Sequence, residues 1–402
     1  MSNQAPSDDR WRTEEYETLC DEALSAKFPD EQRVLEPQGT SSFRLVFHNP
    51  ASYRLFLDSD IYSCAKAFVE GRIDILGDPI AAVAFKMAYP GRWFRRWSGA
   101  VFASLASLKP ESWLQSRSRA KENIKFHYDR NHDFYASFLD ARMVYSCAYF
   151  RRPDMSLEDA QEQKLDLICR KLDIREGERF LDVGCGWGAL VLHAAQHYGA
   201  ISTGCTLSDS QANYVGAIGR TLGFGHKITV QHSDFRDLDG QYDKIASVGM
   251  FEHVGRRRLS TYFSKIHGLL AADGLFLNHG IVRPEGIGNG LETLFLRKYV
   301  FPGGELTHLS EVIKIAGKCG FEVLDVENLR PHYAITCRRW VERLIQNKER
   351  CIASAGPQTY RVWLLYLSAS ALSFEQGKTD VYQVLMAKRS GKVRRLTRDY
   401  MF

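Results

Sequence analysis

The sequence lacks several features that would assign it at once to a common class. Its nine cysteines are scattered, odd in number and contain no CxxC pair, which argues against a zinc site or a disulfide framework. The start, MSNQAPSDDR, has no apolar core of a signal peptide. The longest nearly apolar stretch, residues 362–374, is shorter than the about 20 residues that a membrane-spanning helix needs. We therefore expect a cytoplasmic protein with no metal and with reduced, mostly buried thiols.

Length and composition indicate a globular protein of two domains. The chain has 402 residues, of which 45% are apolar and 25% charged. The formal net charge of +5 is a mild basic bias and weak support for an acidic partner. No internal repeat and no nucleic-acid recognition module are present, so no nucleic-acid partner is expected.

Composition changes along the chain and suggests the domain boundaries. Residues 1–110 contain short apolar segments and helix-like runs and form a first, smaller domain. The polar and basic stretch 111–124 is typical of a linker. Residues 125–402 form a second domain.

The second domain alternates strand and helix patterns, which predicts an α/β fold with a parallel sheet covered on both faces. A capping box, Ser156 with Asp159, begins a helix whose buried stripe contains Leu165, Ile168 and Leu172. Strands are predicted at 179–183, 201–206, 227–232, 243–248, 274–281 and 381–389. Helices are predicted near 188–198, 209–222, 257–272, 334–349 and 357–376. An insertion over 282–311 should lie over the carboxyl edge of the sheet.

The stretch FLDVGCGWGAL, residues 180–190, places three glycines directly after a strand. Glycine allows a tight turn and a close approach to a ligand, and the next helix points its N–H groups at that ligand. The spacing GxGxG after Asp182 differs from the dinucleotide fingerprint GxGxxG. It resembles the first motif of class I S-adenosylmethionine-dependent methyltransferases, which we favour over a nicotinamide or flavin site and over a purely structural turn.

The following strand ends in TLSDSQ, where a nucleoside site needs polar groups for the ribose hydroxyls. Asp209 and Gln211 are the candidates. Asp209 could equally be the N-cap of the next helix.

Several motifs in one order make the resemblance specific. They are YSCAYF (145–150), LDVGCGWGAL (181–190), TLSDSQ (206–211), SVGMFEHVG (247–255), KYVFPGGEL (298–306) and DVYQVLMAK (380–388). Together they resemble the cyclopropane fatty acid synthase family, which includes the mycolic acid cyclopropane synthases. The resemblance is strong over about 120–390, and weaker over 40–110, where AKAFVEGRIDILGD resembles the family's N-terminal lipid-handling domain. It implies a Rossmann-like class I methyltransferase sheet with helices on both faces, plus that smaller domain.

The resemblance also implies a reaction. The methyl carbon of S-adenosylmethionine is added across a cis double bond of an acyl chain in a membrane phospholipid, and a bound bicarbonate removes a proton as the cyclopropane ring closes. Aromatic faces could ease the intermediate carbocation. The residues implied for the bicarbonate pocket are Cys147, Glu252, His279, Ile281 and Tyr333. Those implied for S-adenosylmethionine are Tyr145, Ser146, Asp182, Gly184, Gly186, Gly188, Thr206, Leu207, Gln211, Asp234 and Phe235.

Topology supports part of this set, because ligands of an open parallel sheet bind outside the carboxyl ends of its strands. Glu252 follows one predicted strand and His279 lies near the end of the next, so both should open onto one cleft with the glycine turn. A zinc site from Glu252, His253 and His279 is disfavoured, since neighbouring residues cannot share a helix face. We expect His253 to be a structural partner of its loop. A buried, inert Cys147 is the alternative to a site role.

The sequence departs from the family at three places. Asn131 and His132 replace the usual Gly-Asn, Ser370 stands where some members have cysteine, and Gly280 stands where a larger residue is common. The last difference suggests an altered shape of the lipid pocket.

A membrane surface is the expected partner. In GRWFRRWSG, residues 91–99, aromatic and arginine side chains alternate, which suits an interface with anionic lipid. A packed helix with a solvated basic edge is the alternative. The resemblance further suggests a homodimer and a peripheral location at the inner membrane surface.

Three other functions stay open. The same carbocation could end as a methyl- or methylene-branched acyl chain. N-methylation of a small amine is the next alternative, because plant alkaloid N-methyltransferases resemble this family. A lipid-binding role without catalysis is the last.

Overall fold

The computed structural model describes residues 33–35, 42–89, 132–288, 290, 292–301, 304–391 and 396–401. The chain divides into two compact units, Met1–Leu108 with Gly290–Phe295, and Lys109–Asn289 with Leu296–Phe402. The predicted linker 111–124 and the predicted membrane segment 91–99 lie outside the described residues.

The first unit contains a small antiparallel sheet covered by helices. Its strands are β1 (Arg33–Leu35), β2 (Phe43–Phe47) and β3 (Ile73–Gly77), with β2 in the centre. The helices are Pro50–Asp58, Ile61–Val69 and Pro79–Ala88. Each helix begins at a side-chain cap, supplied by Asn49, Asp60 and Asp78.

A seven-stranded sheet organises the second unit. Its strands are β4 (Arg179–Val183), β5 (Ile201–Thr206), β6 (Ile228–His232), β7 (Tyr242–Val248), β8 (Leu270–Val282), β9 (Phe321–Asn328) and β10 (Asp380–Lys388), in the order β6-β5-β4-β7-β8-β10-β9. From β6 to β8 all neighbours are parallel, whereas β10 is antiparallel to both β8 and β9. The predicted parallel sheet is therefore present from β6 to β8, and the antiparallel strands β10 and β9 extend it at the other edge.

Helices cover the sheet, and their bounds correct several predictions. They are His132–Tyr135, Leu157–Lys171, Ala189–Tyr198, Asp209–Thr221, Leu259–Leu269, Glu292–Tyr299, Leu309–Lys318, Arg330–Gln346 and Lys348–Glu375, the last with a non-helical Gly356. The helix predicted over 257–272 ends at Leu269, because β8 begins at Leu270 and pairs with β7 there. The helix Leu309–Lys318 and strand β9 were not predicted.

The second unit has buried clusters that confirm the helical stripe. Leu165, Ile168 and Leu172 pack with Phe180 of β4 in one cluster. The capping box is also confirmed, since Ser156 accepts a hydrogen bond from the Asp159 N–H at 3.0 Å. This helix therefore has a fixed register against the sheet, which decides which of its side chains point into the site.

Eight of the nine cysteines lie within the described residues. All described cysteines are free thiols, and all except Cys319 are buried. Among the described residues, no helix has the length and apolar character that crossing a membrane requires.

Candidate active site

The glycine turn after β4 is fixed to the neighbouring strand. The N–H groups of Gly184 and Cys185 both donate to the Cys205 carbonyl, at 3.1 and 2.9 Å. Gly186 has a φ of 52°, and a Cβ on it would meet no atom within 4 Å. The backbone therefore faces open space here, as close approach to a ligand requires.

Gly188 has a role in helix packing. It caps the helix Ala189–Tyr198 with a φ of 81°, and a Cβ on it would lie 2.5 Å from the Val215 side chain. It is absent from the described lining of the adjacent cavity. The small size of Gly188 therefore serves helix packing, and its assignment to cofactor contact stays a prediction.

A cavity of about 200 Å³ opens beside the turn. It collects the other predicted cofactor residues, which come from the ends of β4, β5 and β6 and from the segment before the helix Leu157–Lys171. These residues are Tyr145, Ser146, Asp182, Gly184, Gly186, Thr206, Leu207, Gln211, Asp234 and Phe235. The carboxyl edge of the sheet thus forms a pocket for one elongated ligand.

Two buried charges lie at the glycine-turn end of this cavity. Asp182 is almost fully buried, and burial raises the pKa of its carboxyl group to about 7, although the nearby Lys164 opposes the rise. Lys164 also lines the cavity and donates a hydrogen bond to Ser146 Oγ at 3.0 Å. The sequence analysis missed Lys164, whose only signal was a charged residue on the buried face of its helix.

The polar groups after β5 are held in place by one another. Thr206 Oγ1 donates to Gln211 Oε1 at 2.7 Å, and the helix is capped by Ser208, which accepts from the Gln211 N–H. Asp209 is mostly exposed and pairs with His232 at 2.7 Å. Asp209 is therefore neither the cap nor part of the cavity, whereas Gln211 lines it.

Asp234 and Phe235 form the predicted loop after β6 and also line the cavity. The carboxylate of Asp234 is held by Arg236, with distances of 2.7 Å from Nε and 2.5 Å from Nη2. Phe235 meets Tyr262 edge to face, with ring centroids 5.6 Å apart. The aromatic wall for an adenine ring is present, and Arg236 also contacts the acid expected to bind the adenine amino group.

Of the five predicted catalytic residues, Cys147 and His279 are buried, whereas Glu252, Ile281 and Tyr333 are partly exposed. None of the five belongs to the described lining of this cavity. Glu252 lies between the lining residues Met250 and His253, but its carboxylate turns towards β8. There, Oε1 accepts a hydrogen bond from the Ile281 N–H at 2.7 Å. The cavity and this polar group are therefore neighbours, and the single cleft expected from topology stays a prediction.

Three polar atoms of this group have no hydrogen-bond partner among the described residues. They are Glu252 Oε2, His279 Nε2 and Gln383 Oε1. In the assigned orientation of the Gln383 amide, its Nε2 lies 3.2 Å from His279 Nδ1 and donates to it, which leaves the ring hydrogen on His279 Nε2. Burial raises the pKa of Glu252 to about 7 and lowers that of His279 to about 3. The site thus holds an unused acceptor and an unused donor in a dry environment.

Cys147 and Tyr333 lie close to each other. Cys147 Sγ is 3.7 Å from the Leu329 carbonyl, just before the helix that carries Tyr333. Burial raises the pKa of Tyr333, and the ionisable groups of Cys147 and Glu252 add to the rise. The Tyr333 ring stacks on Phe374, with centroids 4.5 Å apart. The assignment of these residues to chemistry stays a prediction.

His253 was expected to be a structural partner of its loop, yet it also lines the cavity. Burial lowers its pKa to about 4, and its ring lies 5.8 Å from that of Phe301. Arg258 is a further lining residue that the sequence analysis did not select.

Comparison with known proteins agrees with this arrangement. The family described as mycolic acid cyclopropane synthetase matches residues 115–384. A probable fatty acid methyltransferase of Pseudomonas putida is 41% identical over 330 residues, which are 80% of this chain and 81% of that protein. The sphingolipid C9-methyltransferase of Candida albicans is 32% identical over 390 residues, 92% of this chain and 75% of that protein. The structure of mycolic acid cyclopropane synthase CmaA1 with SAH and CTAB has 37% identity and a TM-score of 0.64, and covers 67% of this chain and 98% of its own.

The sheet, the glycine turn and the cavity at its carboxyl edge define a class I S-adenosylmethionine-dependent methyltransferase. Two features of the structure fit that cofactor. The backbone at Gly186 faces open space, and Asp182 Oδ1 has no hydrogen-bond partner among the described residues. Within this class, the chain belongs to the mycolic acid cyclopropane synthetase family.

Proposed function

We propose that this enzyme adds the methyl carbon of S-adenosylmethionine to the cis double bond of unsaturated acyl chains in membrane phospholipids and closes a cyclopropane ring. The observation that carries the proposal is the pair of unpartnered buried atoms, Glu252 Oε2 and His279 Nε2, beside the cofactor cavity.

The bonds and charges balance as follows. The cofactor supplies an electrophilic methyl carbon at a sulfonium. The alkene's π electrons form the new C–C bond, the C–S bond electrons stay on sulfur, and the other alkene carbon becomes cationic. Loss of a proton from the added carbon supplies the electron pair of the second C–C bond and closes the ring. The protein must hold the alkene in place, exclude water and accept that proton.

Aromatic side chains surround the region in which the cation would form. Tyr145 lines the cavity, and its ring lies 5.2 Å from that of Trp340, which in turn lies 6.0 Å from Tyr333. Aromatic faces attract a cation, and the attraction is stronger where water is excluded. The ring faces of this cluster would support a carbocation in the proposed reaction.

The buried polar group fits bicarbonate. His279 Nε2–H would donate to one of its oxygens, and Glu252 Oε2 would accept from its O–H group, so that both unpartnered atoms gain a partner. Cys147, Ile281 and Tyr333 complete the proposed pocket. When bound, bicarbonate would supply a small base of suitable strength.

The first unit and the segment 91–99 complete the proposal at the membrane. We assign the first unit to handling lipid and the arginine-aromatic segment to contact with anionic headgroups at the inner membrane surface. The family resemblance and the alternation of side chains in that segment support both assignments.

In a second candidate function, the same carbocation loses its proton from a different carbon. Loss of a proton from a chain carbon gives a methyl-branched acyl chain with a double bond, which has the same mass as the ring. The names of the relatives from Pseudomonas putida and Candida albicans favour this candidate, since both are called methyltransferases.

The deciding experiment uses phospholipid vesicles with cis-monounsaturated acyl chains and S-adenosylmethionine labelled with ¹³C in the methyl group. We expect NMR of the extracted lipid to find the label in a ring methylene. Label in a methyl group on the chain would support the second candidate. Label only in an added soluble amine, or in no product, would reject both.

Bicarbonate is tested separately by assaying in carbon dioxide-free buffer. We expect turnover to fall and to return when bicarbonate is added, whereas Glu252→Gln stays slow in both buffers. Equal wild-type turnover with and without bicarbonate would contradict the assignment.

A further inference from the structure

Lys164 is a buried cation that the chemistry above does not use. Its side chain is 2% exposed and faces the cofactor cavity from the helix Leu157–Lys171. An ammonium group has three N–H donors, yet Ser146 Oγ is the one hydrogen-bond acceptor that the described residues give it. Within the same part of the chain, no carboxylate lies within 4 Å of Nζ to form an ion pair.

A second lysine on the same helix, Lys171, is a buried ammonium group that has carboxylate partners. Lys171 lies two turns further along, is also fully buried, and pairs with Glu327 and with Asp325. It does not line the cavity.

The carboxylates of Asp140 and Asp182 act on Lys164 through their charge, Asp140 more strongly, but neither lies within the 4 Å of an ion pair. A buried ion is tolerated best when it is paired directly, so Lys164 has room for an anionic ligand.

Asp182 presents the opposite charge to the same cavity. It is 3% exposed, and its Oδ1 has no hydrogen-bond partner among the described residues. Burial raises the pKa of Asp182 to about 7 and lowers that of Lys164 to about 8, while each charge partly offsets the effect on the other. One end of the cavity thus displays an ammonium and a carboxyl group that do not pair directly.

This arrangement is complementary to a free amino acid, which carries one carboxylate and one ammonium on the same carbon. The glycine turn, which follows Asp182 directly in the chain, lines the same cavity, as do the residues expected to contact the ribose and the adenine. We propose that Lys164 binds the carboxylate of the methionine moiety of S-adenosylmethionine. The inference rests on cofactor binding at this cavity and is independent of the lipid that is modified.

The alternative is that Lys164 acts only through Ser146, by holding the segment that carries Tyr145 over the cavity. Decarboxylated S-adenosylmethionine separates the two roles, because it differs from the cofactor only in lacking the carboxylate. The measurement is the dissociation constant of each ligand, by calorimetry and without lipid, for the wild-type enzyme and for Lys164→Met.

We expect Lys164→Met to weaken binding of S-adenosylmethionine about 10- to 100-fold, the range for a hydrogen bond to a charged group. Binding of the decarboxylated ligand should change less than about threefold, because it has no carboxylate to lose contact with. Equal weakening of both ligands would overturn the proposal in favour of the role through Ser146. Unchanged binding of S-adenosylmethionine would exclude either role.

Two further variants keep the test decisive. Lys171→Met removes a buried ammonium from the same helix and should lower stability without changing the ratio of the two dissociation constants. Lys164→Gln retains a polar group and replaces Lys164→Met if the latter does not fold, with the same expected ratio. Failure of the wild-type enzyme to bind either ligand would instead reject the cofactor site itself.

Discussion

Glu252 and Ile281 are joined by a hydrogen bond of 2.7 Å, from the Ile281 N–H to Glu252 Oε1. The contact links the loop after β7 to strand β8, two residues beyond His279 in a strand whose neighbour β10 supplies Gln383. One carboxylate oxygen is therefore anchored to the backbone, while Oε2 is left to meet a ligand.

This anchor predicts a separation between binding and turnover. Glu252→Gln should slow turnover at least about 100-fold, as expected for loss of an acid–base group, because an amide oxygen cannot act as the carboxylate does. The dissociation constant of S-adenosylmethionine should change less than about threefold, since Glu252 does not line the cofactor cavity. Single-turnover rates and calorimetry measure the two quantities. Glu322→Gln, on an exposed position of β9, is the matched control, and equal loss in both variants would contradict the role.

The buried Glu252 also predicts a dependence of stability on pH. Burial raises its pKa from 4.5 to about 7, so between these values the folded state holds a proton that the unfolded state releases. The contribution of this group to stability therefore falls as pH rises through the window, by up to about 3 kcal/mol. The amide of Glu252→Gln does not titrate. Between pH 5 and pH 8, the free energy of unfolding should therefore fall less in this variant than in the wild-type enzyme.

Denaturant unfolding at the two pH values, followed by the fluorescence of the buried Trp340 and Trp363, measures this difference. The same change in both proteins would show that Glu252 is not the titrating group.

Gly280 and Phe251 are complementary in shape. A Cβ at position 280 would lie 1.9 Å from Phe251 Cε1, so Gly280→Ala must displace the ring next to Glu252. We expect a loss of about 1–3 kcal/mol in stability together with slower turnover. Phe251→Leu should restore part of both in the double variant, and a double-mutant cycle measures the coupling. Gly268→Ala, where nothing lies within 4 Å, is the control without a clash.

The two glycines that flank Trp187 should respond differently to the same substitution. Gly188→Ala meets Val215 at 2.5 Å and should lower stability by about 2 kcal/mol, with recovery in the double variant with Val215→Ala. Gly186→Ala places its methyl group in open space and should weaken cofactor binding more than it lowers stability. Thermal unfolding and calorimetry of both variants test this, and a reversed pattern would contradict the assignment of Gly188 to packing.

Short sequence patterns were sufficient to predict those features that depend only on neighbouring residues. The capping box at Ser156 and the stripe at Leu165 confirm this, because cap geometry and helical periodicity depend on residues within two turns. The glycine turn succeeded for the same reason. Ten of the eleven predicted cofactor residues line the cavity, with Gly188 the exception.

Predictions failed where contacts between distant segments decide the structure. Strand β9 has an interrupted burial pattern, and its pairing with β10 could not be inferred from either segment alone. The same holds for Lys164, whose importance depends on Ser146 and Asp182 lying across the cavity. The direction in which Glu252 turns depends on a backbone group 29 residues further along the chain.

Strand β10 occupies an interior position between β8 and β9, yet it comes later in the chain than every other strand. It also brings Gln383 opposite His279, and so sets which imidazole nitrogen holds the hydrogen. During synthesis, a nascent chain that ends before residue 380 would carry the complete glycine turn but an imidazole without its orienting amide. The orientation of the His279 ring thus depends on a residue that is made 104 positions later.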